Sequence, residues 1–346
     1  MKYIKVALIA PEYKHINGGA GIYARTLYSI LRKNRKIRVD LYSCNEKISF
    51  FSSLKFMIKL QRRLKNKNYD IIHNTSFLHF SDLLVNCRAK RIVTLHSTAN
   101  SQLRGILKSL LESGKLTFFE LQYLMSYPIL KILELLYAKK VDMVLSVGKK
   151  TLVSHNKTII IDNAVSLPDY KKDYYPWLRK KRYCLFVGRH LCQKGIDILI
   201  DVCRRTKYFL VTAGNYDNKL RKMLEREQIR NFYCAGFVGR KRLHYLYDNC
   251  EIIVLPSYNE NSPLVCYEAM IVKKPLLCFD VGNIRQIMKN KCVIAENKTD
   301  FISRLNNFYK KPFSIDYGYS QKKSLSDFGR NIEKAYFEVL NEDINS

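Results

Sequence analysis

Twelve short apolar runs, separated by segments of helical length, constrain this 346-residue chain more than any other feature. In the first half the runs are Tyr3–Ala10, Arg38–Tyr42, Asp70–His73, Arg91–Leu95, Met143–Val147 and Thr158–Ile161. In the second half they are Tyr183–Val187, Phe209–Ala213, Phe232–Ala235, Ile252–Leu255, Leu276–Phe279 and Val293–Ala295. Apolar runs of this kind read as buried strands. Between them, Tyr23, Leu27, Ile30 and Leu31 recur at i, i+4, i+7 and i+8, one face of a helix. Helical stretches near 195–203, 218–227, 240–250, 263–272 and 299–309 separate the later runs. Strand and helix in alternation give an α/β protein whose parallel sheets are covered on both faces.

The chain is long enough for two domains of ordinary size. A polar, turn-rich stretch over 165–182, holding Pro168, Pro176 and Arg179-Lys180-Lys181-Arg182, marks the division. The expected domains are residues 1–166 and 167–312. Residues 313–346 form a last helical segment with Leu325, Phe328, Ile332, Ala335 and Val339 on one face, a candidate for packing back on the first domain.

Charge and cysteine content narrow the setting. Lys and Arg number 60 against 30 Asp and Glu, a net +30 that attracts polyanions such as nucleic acid, anionic lipid or phosphorylated substrates. The ten cysteines are scattered without a C-x-x-C pair, which argues against a disulfide framework or a zinc site and for a reducing, cytoplasmic setting. No secretory leader pattern opens the chain, so export is not expected. Phe118–Leu136 is apolar but carries Glu120, Lys131, Glu134 and Pro128. Each charge costs about 2.5–3.5 kcal/mol at a bilayer centre, so a buried or surface-lying helix pair is expected, not a span. The basic runs Arg32–Lys36 and Lys59–Lys67 make contact with an anionic membrane surface a further expectation.

Four segments carry the candidate chemistry. Gly19-Ala20-Gly21-Ile22-Tyr23-Ala24 has the G-x-G-x-x-A form of a dinucleotide-binding turn, with Asp40 about twenty residues on. Pro11–Gly18 intervenes after the strand, however, and Asp40 lies inside a strand; what survives is a helix start open to an anion. In Phe186–Gly195 a strand end leads to Arg189 and Lys194, placed where open α/β sheets bind ligands and able to neutralise a diphosphate. In Leu255–Met270 a strand delivers a loop, and Pro263 suits a first helical turn. Asn261, Ser262, Leu264 and Val265 are its candidate substrate-binding residues, through N–H groups at a helix N-terminus. Glu260, before that terminus, can accept sugar hydroxyls, and Glu268, inside the helix, ribose hydroxyls. Asp280-Val281-Gly282-Asn283 again follows a strand.

Taken together, these segments resemble the retaining glycosyltransferases of family 4, which have the GT-B fold of two facing Rossmann-like domains about a cleft. The markers are Gly18-Gly19, His73, His96, Arg189, Lys194, and Glu260 and Glu268 eight residues apart, with Pro256-Ser257 before and Ala269-Met270 after. The resemblance implies that Arg189 and Lys194 neutralise a donor diphosphate, Glu260 holds the transferred sugar, Glu268 the ribose, and His96 meets the sugar. Gly19 and Gly21 would approach diphosphate or acceptor, whereas His73 is expected to be structural. It implies a nucleotide-sugar donor, a glycan or lipid-linked acceptor, no cofactor and no metal; no Asp-x-Asp pair is present. Two positions depart from the pattern. Arg285 and Gln286 stand where an acid is usual, and Asp162-Asn163-Ala164 stands for Pro-Asn-Gly. The competing readings are a basic nucleic-acid-binding protein, which lacks any recognised binding motif, and a nicotinamide-dependent oxidoreductase resting on Gly19–Ala24.

Overall fold

The computed structural model describes residues 3–14, 18–44, 50–65, 67–76, 82–83, 87–114, 116–149, 155, 157–214 and 224–345. The chain divides into two compact units, each built on one six-stranded, wholly parallel sheet. All twelve expected strands are present, with ends shifted by no more than a residue or two.

The first unit comprises residues 1–102, 123–165 and 321–346. Its strands are β1 (Ile4–Ile9), β2 (Ile37–Tyr42), β3 (Ile71–Asn74), β4 (Lys90–Leu95), β5 (Met143–Ser146) and β6 (Thr158–Ile160), in the order 2-1-3-4-5-6. Its helices are α1 (Gly19–Lys33) and α2 (Phe50–Lys65); α3 (Ala99–Ser113) and α4 (Phe118–Lys140) begin or end in it. One face of the sheet buries Val6, Leu8, Ile71 and Leu145 under Tyr23, Leu27 and Leu31 of α1. Each such side chain contributes about 1.5–3 kcal/mol relative to exposure. The C-terminal helix, α10 (Gln321–Asn345, numbered after those of the second unit), shares this core through Phe328, Ile332, Ala335, Tyr336 and Val339. Glu333 of α10 anchors it, accepting from Asn34 and, at 2.7 Å, from Lys36.

The second unit comprises residues 103–122 and 166–320. Its strands are β7 (Tyr183–Val187), β8 (Phe209–Ala213), β9 (Phe232–Cys234), β10 (Ile252–Leu255), β11 (Leu276–Phe279) and β12 (Val293–Ala295). The helices between them are α5 (Ile196–Arg205), α6 (Arg240–Asn249), α7 (Leu264–Val272), α8 (Ile284–Met288) and α9 (Lys298–Lys310). The helical stretch expected near 218–227 falls mostly outside the described residues. The sheet order is 9-8-7-10-11-12. The chain therefore winds outward from β7 in one direction, then returns and winds outward from β10 in the other. This is the doubly wound dinucleotide-fold order, and the crevice at the carboxyl ends of β7 and β10 is its topological switch point.

Candidate active site

The polar groups expected to act on a donor lie at this switch point. β7 ends at Val187, and the chain then passes through Arg189 into a single 3-10 turn, Cys192–Lys194. β10 ends at Leu255 and gives the loop 256–263 before α7. Two glycines draw these loops together. Gly195 has φ +73°, and a Cβ there would lie 2.0 Å from the carbonyl oxygen of Pro256. No other residue allows that approach. Gly282 has φ +62°, and its Cβ would lie 2.5 Å from the Glu260 carbonyl and 2.6 Å from that of Asn261. Backbone bonds complete the join: Tyr258 N–H donates to Gln193 at 2.9 Å, and Asn283 N–H to Asn261 at 3.0 Å.

This packing brings Lys194 Nζ within 2.7 Å of Glu260 Oε1, both largely shielded from solvent. Sixty-six residues apart in the chain, these two expected site residues form one ion pair. Arg189, on the same loop as Lys194, is half-buried, and among the described residues no carboxylate pairs with it. A shielded guanidinium without a counter-charge is suited to an anionic ligand. The start of α7 adds to the positive potential. Pro263 is its N-cap, one place before the first turn where the sequence reading set it, and the first backbone bond runs from Cys266 N–H to Pro263. The N–H groups of Leu264 and Val265 take no backbone acceptor among the described residues and emerge at the positive end of the helix dipole. Asn261 and Ser262 occupy the loop just before it.

Glu268 is held differently. Its side chain is 2% exposed; Arg240 of α6 pairs with Oε1, and Tyr247 donates to Oε2 at 2.6 Å. The same Arg240 donates to the carbonyl of Ser166 at 2.6 Å. The carboxylate is thus taken up by α6, not by either loop cation. Arg240 and Tyr247 escaped sequence analysis because one arginine among 60 basic residues carries no signal. Glu120 escaped it too. It closes a capping box with Thr117 at the start of α4 and turns its other oxygen, Oε1, to Gln193 N–H at 3.3 Å, bracing the turn that carries Lys194. Arg285, the departure from the family pattern, is paired with Asp280 at 2.8 Å on the surface of the glycine loop.

In the first unit, Gly19 and Gly21 open α1, with Gly18 as N-cap, after a 3-10 turn at Pro11–Tyr13. Asp40, the acid a nicotinamide cofactor would want, accepts from Tyr69 at 2.6 Å and Lys67 at 3.0 Å. His96 follows the end of β4, its ring edge-on to Tyr23 with centroids 4.6 Å apart. Burial lowers its pKa to about 4, so the imidazole is neutral near pH 7. His73 is structural: its ring nitrogens lie 2.7 Å from Tyr336 Oη and 2.8 Å from Thr94 Oγ1. Tyr23 Oη, 3.1 Å from the same Thr94 oxygen, extends this buried chain to α1. Among the described residues, no group of three or more His, Cys, Asp or Glu side chains could hold a metal ion.

Residues 171–334, the second unit from its linker into α10, match the family model of glycosyl transferases group 1. The match takes in the loops that carry Arg189, Lys194, Glu260 and Glu268, and makes this domain similar to the members of that family. Along most of its length it is also similar to the O-antigen chain mannosyltransferase C of Escherichia coli, with 22% identity over 86% of this chain and 79% of the relative. Two solved structures show the fold. Sucrose-phosphate synthase of Thermosynechococcus elongatus superposes with a TM-score of 0.77 at 16% identity, covering 98% of this chain and 100% of the other. The Anabaena protein HepE, solved with UDP-glucose, superposes with a TM-score of 0.62 at 14% identity, covering 99% and 98%. The two parallel sheets of this glycosyltransferase are accordingly the paired Rossmann-like units of the GT-B fold.

Proposed function

We propose that this glycosyltransferase moves a hexose-type sugar, with retention at the anomeric carbon, from a nucleoside-diphosphate donor to a glycan or lipid-linked acceptor. The observation that carries the reading is the Lys194–Glu260 pair at the β7/β10 switch point, beside Arg189, which has no carboxylate partner among the described residues. UDP is the favoured nucleotide, on the precedent of HepE, and surface-polysaccharide synthesis the favoured setting, on that of the O-antigen enzyme. The chain would work in the cytoplasm, at the inner face of the membrane.

Cleaving a sugar–diphosphate bond gathers negative charge on the departing phosphate, and fixed positive charge aimed at it is the largest help available. Arg189, Lys194 and the Leu264 and Val265 N–H groups supply that charge without a metal or cofactor. Before the donor binds, Glu260 neutralises Lys194. The diphosphate then takes over Lys194, and the released Glu260 accepts hydroxyls of the sugar. Glu268 meets the ribose with the second lone pair of each oxygen while Arg240 and Tyr247 hold it in place. His96 and the Gly19–Gly21 turn are assigned, on the family resemblance, to the sugar and to the diphosphate or acceptor.

For retention we favour front-face attack. The acceptor hydroxyl bonds to the anomeric carbon as the bond to phosphate breaks, and its proton passes to the departing phosphate oxygen. A glycosyl–enzyme adduct trapped in a mass spectrum would replace this route with a covalent one. The activity is tested by incubating purified chain with UDP-sugars and following UDP release. Release by the wild type, with loss in Arg189→Ala and Glu260→Ala, is expected. Wild-type turnover in both variants would reject the site.

A further inference from the structure

The long helix α4 is built inside-out. Between Tyr123 and Lys140 its exposed residues are Met125, Pro128, Ile129, Ile132, Leu135 and Leu136, followed by Lys139 and Lys140. Met125 is 77% exposed, Ile129 64%, Ile132 57% and Leu136 52%. The spacing repeats every three to four residues, so these side chains form one outward stripe about 16 Å long. The acid of this stretch points the other way. Glu134 is buried, accepting from Ala99 N–H at 2.6 Å and from Lys131 at 2.8 Å. Tyr137 and Ala138 share its inward face.

A helix exposed to water presents its charges and buries its leucines; this one does the reverse along its whole outer face. The outer medium it fits is apolar, and over 123–140 the exposed charges of α4 itself are Lys139 and Lys140. No helix among the described residues is long and apolar enough to cross a membrane. We propose that the outer face of α4 lies in the headgroup–acyl boundary of an anionic bilayer, with Met125, Ile129, Ile132 and Leu136 inserted and Lys139 and Lys140 on the lipid phosphates. The net charge of +30 is complementary to such a surface and brings the chain to it. This deepens the lipid-linked acceptor reading, because a lipid-borne sugar acceptor is met where the helix rests.

The test is co-sedimentation of the full chain with vesicles of phosphatidylglycerol and phosphatidylethanolamine, against vesicles of phosphatidylcholine alone. It contains no donor, so docking and transfer can fail separately. The wild type is expected to sediment with the anionic vesicles. Met125→Ser/Ile129→Ser/Ile132→Ser should lower the partition coefficient at least tenfold. Lys139→Gln/Lys140→Gln should lower it about tenfold and flatten its salt dependence. Circular dichroism and UDP release in solution should match the wild type in both variants; if the triple variant misfolds, the lysine pair alone decides. Docking is overturned if the wild type ignores every vesicle or if the folded variants sediment like it. It is equally overturned if velocity sedimentation shows a wild-type dimer that the triple variant breaks, for a second copy then covers the face.

Discussion

The first unit ties a buried histidine to hydroxyls of its own core, whereas the second leaves a half-buried arginine with no carboxylate partner among the described residues. In the first, His73 is locked between Tyr336 and Thr94, and Thr94 is tied on to Tyr23. In the second, loops from three strands converge through Gly195 and Gly282, and they leave Arg189 half-buried without a counter-charge among the described residues. Both units are parallel six-stranded sheets, so the architecture does not account for the difference. The loops do. A glycine at a strand's carboxyl end lets two backbones touch and concentrates charge that would otherwise be solvated apart.

The largest expected effect tests that charge. Arg189→Ala and Lys194→Ala should each lower kcat/KM on a UDP-sugar by about 10²–10³, as for loss of a transition-state donor, with melting temperature within a few degrees of wild type. Steady-state kinetics with a melting curve would read both. A fall in stability matching the fall in rate would make these groups structural, like His73, and erase the contrast.

Next come the glycines. Gly195→Ala forces a Cβ onto the Pro256 carbonyl and should destabilise by on the order of 2–4 kcal/mol. Gly18→Ala, at the helix start in the first unit, meets nothing within 4 Å among the described residues at an extended φ and should change stability by less than about 0.5 kcal/mol. Urea unfolding of the two variants decides it, and equal midpoints would remove the argument from close approach.

The histidine network should give a smaller, local effect. His73→Leu leaves the Tyr336 and Thr94 hydroxyls short of a buried partner, costing about 1–3 kcal/mol while UDP affinity stays at the wild-type value. A drop in UDP affinity measured by calorimetry would mean that the network serves the donor site after all.

The pH dependence of stability follows the same division. Burial lowers His73 to about 3 and His96 and His190 to about 4, so the unfolded chain takes up protons that the folded chain refuses. Their stabilisation is complete above the ordinary histidine value near 6.5 and is lost as pH falls toward 4 and 3, by about 1.4 kcal/mol per pH unit for each. Asp82, raised to about 6 by burial, acts in the opposite sense, favouring the folded state as pH falls below 6. Stability should therefore begin to drop near pH 7 and fall most steeply between about pH 6 and 5, with Asp82 offsetting about one of the three histidine contributions there. Urea midpoints that hold level from pH 7 to pH 5 would contradict the buried neutral histidines.

Strands were the most legible level of the structure because a parallel sheet buries both faces, leaving an apolar run that needs no context. Lys194 and Glu260 were legible as residues following strands β7 and β10, although their contact was not: it depends on the glycines of two separate loops. The capture of Glu268 by Arg240 and Tyr247 left no mark in the sequence, since a basic residue on a helix is ordinary in a chain of this charge. The outward face of α4 was half legible. Its charges disfavoured a span and left a buried or surface-lying reading, but which side faced outward depended on where Glu134 found partners.

Isothermal titration of UDP into the wild type, Arg189→Ala and the double variant Arg189→Ala/Lys194→Ala measures the central claim most directly. We expect saturable wild-type binding, a loss of affinity of at least tenfold in the single variant, and binding too weak to fit in the double. Wild-type affinity in the double variant would show that the diphosphate is held somewhere other than the β7/β10 switch point.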